Sequence, residues 1–207
     1  MIVVSFWTKG TPYEQEAVEL VKTLDRFGLF CDVQEYEHPG SWLGAGRLIP
    51  SVIYQARVRH PADDLLYVDA DARFMQDPRP ACASLAARCC DLGLYSLPGS
   101  RHAPKGQCDE ICTGTSWWAP TDGAEQALKC WLSATEAVAA DPENKATDQV
   151  ILQGVLPEIG KFARIGWFDP SMCWMDRVSA AHFGDRIAPV IYHTQASRRH
   201  QRVVNRA

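Results

Sequence analysis

Short apolar runs alternate with amphipathic helical patterns along most of the chain, and this alternation is the strongest constraint on its fold. Ile2–Thr8, Phe30–Tyr36 and Leu65–Val68 have the length and composition of strands, and the last is apolar at every position. Residues 13–27 carry apolar side chains at spacings of three and four, as an amphipathic helix does. Strands that alternate with helices form a mainly parallel sheet covered on both faces. The sequence therefore predicts an α/β fold.

The same alternation continues to the end of the chain. We interpret residues 38–46, which include three glycines and a proline, as a loop. Thr121 and Thr147 stand where helix N-caps are expected. The remaining predicted helices are residues 48–58, 81–90, 122–139 and 150–156, and the remaining predicted strands are residues 91–96, 110–118, 162–167 and 187–193.

Length and composition indicate one soluble domain. The chain has 207 residues, of which 46% are hydrophobic and 22% charged. It begins directly with a strand rather than a basic leader, and no apolar stretch approaches the roughly 18 residues of a membrane span. We therefore predict a cytoplasmic protein without a membrane span. In that setting the eight cysteines are interpreted as reduced structural thiols rather than disulfides or a zinc cluster.

Charge separates the body of the chain from its end. Residues 198–207 contain four arginines and no acid, whereas the formal charge of the whole chain is −4, so residues 1–197 carry −8. We predict a domain at 1–197 followed by a basic tail at 198–207. Such a tail either contacts phosphates or is a solvated terminus.

The acidic pair in Asp69-Ala70-Asp71 is the clearest chemical motif. It follows the apolar strand Leu65–Val68, and in an extended chain positions i and i+2 point to the same side. Two carboxylates facing one cavity suit Mn²⁺ or Mg²⁺ bound to a diphosphate. The alternative is an ordinary polar transition from strand to loop, where Asp is common.

Other nucleotide and phosphate chemistries fit the motifs less well. The chain has no G-x-x-x-x-G-K-[ST] sequence and no G-x-G-x-x-G after its first strand, which excludes P-loop hydrolases and Rossmann oxidoreductases. Haloacid-dehalogenase-like phosphatases carry their acidic pair after the first strand, whereas this pair follows the third predicted strand.

The order of these landmarks resembles that of GT-A fold nucleotide-diphospho-sugar transferases, in particular glycogenin-like and lipopolysaccharide galactosyltransferase-like enzymes. The resemblance rests on Ile2–Thr8, Asp69-Ala70-Asp71, Thr113-Gly114-Thr115, Thr147-Asp148-Gln149 and Tyr192-His193-Thr194, and it spans nearly the whole chain. It implies a Rossmann-like GT-A domain with a central sheet flanked by helices.

The resemblance also implies roles for individual residues. Asp69 and Asp71 would hold the metal, with His193 as a third ligand. Asp148 would bind sugar hydroxyls or act as a general base, next to Gln149. The residues that would contact the donor are Thr8 along the nucleoside, Arg47 at the phosphates, Asp69 and Asp71 through the metal, and Thr113 and Gly114 beside the sugar.

The predicted activity is hexosyl transfer from a nucleotide-diphosphate sugar, with UDP-sugars favoured and retention of anomeric configuration implied by the resemblance. The acceptor is a saccharide, a protein or a hydroxymethylated DNA base, the last of these as in bacteriophage DNA modification. Two rival functions stay open: a sugar-nucleotide-binding module without catalysis, and a sugar nucleotidyltransferase. A basic glycine-rich loop after the first strand is expected of the latter, and Trp7-Thr8-Lys9-Gly10 is a poor match.

Overall fold

Strands and helices alternate along the described part of the chain, which in this computed structural model comprises residues 1–98, 109–184, 187–196, 198 and 200. The strands are β1 (Ile2–Thr8), β2 (Phe30–Tyr36), β3 (Leu65–Val68), β4 (Ala72–Phe74), β5 (Leu92–Pro98), β6 (Asp109–Trp118), β7 (Ile165–Trp167) and β8 (Ile191–His193). The α-helices are α1 (Tyr13–Asp25), α2 (Trp42–Gly46), α3 (Ile49–Arg59), α4 (Arg79–Ala87), α5 (Asp122–Ala139), α6 (Asp148–Ile159) and α7 (Asp176–Phe183), with a 3-10 helix at Pro170–Cys173.

Six of these strands form one sheet in the order β2-β1-β3-β6-β5-β7. Five of them run in the same direction, and only β6 is antiparallel to its neighbours β3 and β5. The parallel strands therefore end at one common edge of the sheet, where α/β proteins bind ligands. This confirms the predicted α/β class with a mainly parallel sheet.

Local sequence explains the main elements. All four residues of β3 are buried, as its apolar composition predicts for a central strand. The side chains of Thr121 and Thr147 accept hydrogen bonds from the backbone amides of Ala124 and Val150 and cap α5 and α6 as predicted. The helix predicted at residues 13–27 corresponds to α1, which ends two residues earlier, at Asp25.

The sheet separates two apolar layers. Trp117 packs with the layer that includes Leu20 and Leu85, whereas Trp118 packs with the layer that includes Leu128 and Trp131. Adjacent residues in a strand point to opposite faces, so one pair of neighbouring tryptophans fills both layers. These layers hold the carboxyl edge of the sheet in place.

Several local predictions were wrong. Residues 38–46 are not all loop, because Ser41 accepts a hydrogen bond from the Gly44 amide and caps the short α2. Only the last three residues of the predicted strand 187–193 form β8, and they pair with β4 in a separate two-stranded sheet. β4, α7 and the 3-10 helix had no counterpart among the predictions, since segments this short carry too few residues to show a period.

Some predicted features lie outside the described residues. They include all of the basic tail at 198–207 except residues 198 and 200. Among the helices that the structure describes, none combines the length and hydropathy required to cross a bilayer.

Candidate metal and donor site

Asp69 and Asp71 meet through a tight turn rather than along an extended strand. The Asp69 amide donates to the Gly114 carbonyl at 3.0 Å, which keeps Asp69 paired with β6. The Ala72 amide then donates to the Asp69 carbonyl at 2.9 Å and closes the turn that leads into β4. The predicted geometry for this pair was therefore wrong. Both carboxylates nevertheless line the same cavity.

His193 joins the acidic pair because β8 pairs with β4. Ala72 and His193 are partners in that register, which places the imidazole beside the turn. His193 Nδ1 lies 3.4 Å from Asp71 Oδ1. Asp69, Asp71 and His193 each offer one potential ligand atom, and these three atoms lie within 4.8 Å of one another. The structure thus brings together the three predicted ligands.

Neighbouring polar groups orient these three side chains. The Tyr67 hydroxyl donates to Asp69 Oδ1 at 3.0 Å, and the Ala196 amide donates to Asp71 Oδ2 at 2.7 Å. Thr115 Oγ1 lies 2.8 Å from His193 Nε2. When that hydroxyl accepts from Nε2–H, the Nδ1 lone pair faces Asp71, which is the tautomer that a metal ligand requires.

The electrostatics of the site favour a bound cation. Burial, and then the negative charge of Asp71, raise the pKa of Asp69 to about 7. Burial also acts to raise the pKa of Asp71, but hydrogen bonding to His193 and the charge of its ring outweigh this and the pKa is lowered. Burial acts to lower the pKa of His193, but Cys173 and Asp71 raise it. A divalent cation would replace the protons that Asp69 and His193 hold, and two carboxylates with an imidazole suit Mn²⁺ or Mg²⁺.

A cavity of about 230 Å³ lies at the carboxyl edge of the sheet over this site. Thr8, which we predict to lie along the nucleoside, lines one part of it at the end of β1. Tyr13 and Trp42 also line it, and they come from the starts of α1 and α2. The cavity therefore extends from the end of β1 past the acidic turn to β6 and α6.

Gly114 occupies a position where a side chain does not fit. A Cβ atom there would lie 2.7 Å from Asp69 Oδ2 and 3.4 Å from His193 Cε1. Glycine is thus required for close approach of β6 to the acidic pair and the imidazole. Its neighbour Thr113 is buried and donates a hydrogen bond from its hydroxyl to Asp148 Oδ2.

Asp148 and Gln149 reach the cavity from the first turn of α6. Burial raises the pKa of Asp148 to about 6, although hydrogen bonds from Thr113 and the backbone lower it in part. Gln149 Nε2 donates to the Ile111 carbonyl at 3.0 Å, which ties the start of α6 to β6. On the opposite side, a Cβ at Gly46 would lie 3.0 Å from Asp148 Oδ1, so α2 approaches this carboxylate closely.

Arg47 does not take the predicted place beside the donor phosphates. Its Nη2 donates to the carbonyls of Asn144 and Ala146 at 2.8 and 2.9 Å, and its Nε donates to Ala146 at 3.2 Å. It is not among the residues that line the cavity. A planar guanidinium satisfied by backbone carbonyls has a structural role. Here Arg47 attaches the loop before Asp148 to the end of α2.

Several cavity residues had no signal in the sequence. Tyr13 opens an ordinary amphipathic helix, and Cys112 and Cys173 looked like structural thiols. Tyr67 and Thr115, which contact Asp69 and His193, were more accessible to prediction. Tyr67 stands in β3 two residues before Asp69, and Thr115 stands in β6 two residues after Thr113.

Comparison with known proteins gives a clear answer for the fold only. No protein-family model matches the chain, and no curated protein matches it in sequence. A glycosyltransferase involved in the glycosylation of the major capsid of PBCV-1 superposes over 100% of this chain and 98% of its own, with a TM-score of 0.66 and 18% identity. The chain has the GT-A fold.

Two further GT-A structures match over most of this chain. Galactosyltransferase LgtC, solved with donor and acceptor sugar analogs, covers 93% of this chain and 86% of its own, at a TM-score of 0.56 and 15% identity. Mouse xyloside xylosyltransferase 1 covers 95% and 99%, at a TM-score of 0.56 and 10% identity. Identities this low establish the GT-A architecture and leave the chemistry to the site.

Proposed function

We propose that this protein is a metal-dependent glycosyltransferase that moves a sugar from a nucleotide-diphosphate sugar to an acceptor hydroxyl. The observation that carries the proposal is the convergence of Asp69, Asp71 and His193 at the cavity on the carboxyl edge of a GT-A sheet. A sugar-binding module without catalysis has no need of three convergent metal ligands. The GT-A neighbours are glycosyltransferases, which supports the same class.

The cavity offers a place for each part of such a donor. We assign the nucleoside, uridine by preference, to the part near Thr8, and the diphosphate to the acidic pair and His193. A bound Mn²⁺ or Mg²⁺ would supply positive charge that stabilises the departing nucleoside diphosphate. We assign the sugar to the part of the cavity that Gly114 lines, next to the acidic pair.

Asp148 is the group that we assign to the reacting sugar. With a pKa of about 6, it is mostly ionised at neutral pH and accepts hydrogen bonds from sugar hydroxyls. The Thr113 hydroxyl holds one of its oxygens, so its orientation is set before substrate binds. Gln149 stands beside it and is fixed by Ile111. We favour retention of anomeric configuration, in which Asp148 binds the sugar rather than activating the acceptor.

The acceptor hydroxyl belongs to a saccharide, a protein or a hydroxymethylated DNA base, and a cytoplasmic location stays a prediction. The donor half of the proposal is tested without knowing the acceptor. The protein is incubated with a panel of UDP-sugars and Mn²⁺, and release of UDP by slow hydrolysis is measured. Chelation with EDTA is expected to abolish release, and added Mn²⁺ is expected to restore it.

Asp71→Asn is the decisive variant, because it removes a metal ligand while keeping the size of the side chain. UDP release should fall by about 100-fold or more, as expected for loss of several kcal/mol of metal-derived stabilisation. Asp25→Asn is the matched control, since Asp25 ends α1 about 18 Å along the helix from the cavity residue Tyr13. Wild-type turnover by Asp71→Asn would refute the assignment of the metal site.

A further inference from the structure

A second open groove lies beside the donor cavity on the same edge of the sheet. Its volume is about 630 Å³. We call it the Trp167 groove, and its lining includes Ser96, Asp109, Gln153, Leu156, Pro157 and Trp167. The groove follows the ends of β5 and β7 and the start of β6, whereas the donor cavity follows the ends of β1 and β3 and the middle of β6. The donor cavity and the Trp167 groove therefore lie side by side along the strand order of the sheet.

Trp167 is the only one of the seven tryptophans that is strongly exposed. It keeps 48% of its surface accessible, while Trp117, Trp118 and Trp131 are completely buried. Ile165 stands two residues earlier in β7 and packs against the layer beneath α6. Trp167 faces the same side but lies farther along the strand, where it lines the open groove with Leu156 and Pro157 of α6.

The wall between groove and donor cavity is held rigidly. Gln153 accepts a hydrogen bond from the Ile111 amide at 3.2 Å and donates to the Asp109 carbonyl at 2.8 Å. Gln149, one turn earlier in α6, donates to the Ile111 carbonyl. Two glutamines four residues apart thus attach α6 to the start of β6. Along the helix axis they are about 6 Å apart, and the groove residue Gln153 is about 7.5 Å from Asp148.

The charge of the groove distinguishes among acceptor classes. Asp109 is exposed, and among the described residues of the lining there is no lysine or arginine. The carboxylate of Asp109 repels DNA phosphates, whereas it does not oppose the binding of a neutral sugar. A neutral sugar has an apolar face and several hydroxyls. The flat indole of Trp167 suits that face, and the oxygens of Asp109 and Ser96 suit the hydroxyls.

We propose that the Trp167 groove binds the acceptor, and that this acceptor is a neutral saccharide. The role of this saccharide as an acceptor rests on the proposed glycosyltransfer. Binding of the saccharide in the groove does not depend on that reaction. In this proposal the saccharide lies in the groove and extends past the wall formed by Gln149 and Gln153, so that its reacting hydroxyl lies at the Asp148 end of the donor cavity.

Binding is tested first without any donor. The indole resonance of Trp167 in ¹⁵N-labelled protein is assigned by its loss in Trp167→Phe, and lactose, maltose, cellobiose and N-acetyllactosamine are titrated at millimolar concentrations. At least one disaccharide should shift this resonance with saturation. The affinity of Trp167→Ala for the same disaccharide should be about tenfold lower than that of the wild type, as expected for loss of a single aromatic contact.

Phe162→Ala is the matched control, because Phe162 is also an exposed aromatic residue near β7 but does not line the groove. Its affinity for the disaccharide should equal that of the wild type. If Trp167→Ala does not fold, Trp167→Leu keeps an apolar side chain without a flat face and should show the same loss.

Three results would overturn the inference: no disaccharide shifts the resonance, Trp167→Ala binds as tightly as the wild type, or a short DNA duplex shifts the resonance when no sugar does. In the presence of a UDP-sugar and Mn²⁺, the disaccharide that binds should also accelerate UDP release. Saccharide binding at Trp167 without UDP release from any donor would refute the proposed glycosyltransfer and leave the binding site standing. UDP release without any saccharide-induced shift of the Trp167 resonance would refute the saccharide site and leave the proposed glycosyltransfer standing.

Discussion

Replacing Gly114 with alanine places a methyl group against two of the candidate metal ligands. The new Cβ would lie 2.7 Å from Asp69 Oδ2, so the carboxylate must retreat by about 0.7 Å to reach ordinary van der Waals contact. Metal sites tolerate deviations of only about 0.2 Å in ligand distance. Asp69 therefore cannot keep its place around the ion. We expect the dissociation constant for Mn²⁺ to rise by about 10- to 100-fold, which is about 1.4 to 2.7 kcal/mol.

This substitution tests geometry without changing charge. The φ angle of Gly114 lies outside the left-handed region, so alanine adopts the backbone conformation without strain, and the protein should still fold. Mn²⁺ affinity is measured by isothermal titration calorimetry, with the melting temperature as a check on folding. Gly154→Ala is the control, because a Cβ at Gly154 meets no atom within 4 Å. Wild-type Mn²⁺ affinity in Gly114→Ala would show that Asp69 and His193 do not hold the ion together.

Three further predictions concern protonation, positioning and the core. Because the pKa of Asp69 is raised to about 7, Mn²⁺ must displace its proton at lower pH. Affinity should therefore rise as the pH increases through about 7 and continue to rise above it, because the pKa of His193 is also raised, and a pH-independent affinity in calorimetry would contradict this. Arg47→Ala removes three hydrogen bonds to the loop before Asp148, so kcat for UDP release should fall about tenfold with little change in KM. A rise in KM alone, as expected for a lost phosphate contact, would contradict that role in steady-state kinetics. Trp131→Ala empties a fully buried site stacked on Trp118 and should lower the free energy of unfolding by about 3–5 kcal/mol in urea titrations, and a loss below about 1 kcal/mol would show that the layer repacks.

The acidic motif shows how far local sequence reaches. The apolar run of β3 predicts a buried central strand, and the two carboxylates after it predict a metal site, because both signals depend only on neighbouring residues. The turn that joins Asp69 to Asp71 could not be read in the same way. It forms because Asp69 stays paired with Gly114 in β6 while the chain turns into β4, which pairs with β8. Both β6 and β8 come from distant parts of the chain.

Arg47 and Trp167 illustrate the same limit on the surface. An arginine after a glycine-rich loop is an ordinary candidate for phosphate binding, but its carbonyl partners Asn144 and Ala146 are almost a hundred residues away. An exposed tryptophan cannot be distinguished from a buried one by residue type, and the seven in this chain include both kinds.

The sequence by itself determined the alternation of strands and helices, the caps of α5 and α6, and the acidic pair at the end of a buried strand. These depend on periodicity, hydrogen bonding within a turn, and charge, all of which act over a few residues. Only the tertiary structure decided that β8 pairs with β4, and this pairing brings His193 to a carboxylate 122 positions earlier. It also decided that Gly114 lies against Asp69 and that a groove continues past α6 to Trp167. Contacts between distant segments follow from the packing of whole layers, which no short stretch of residues encodes.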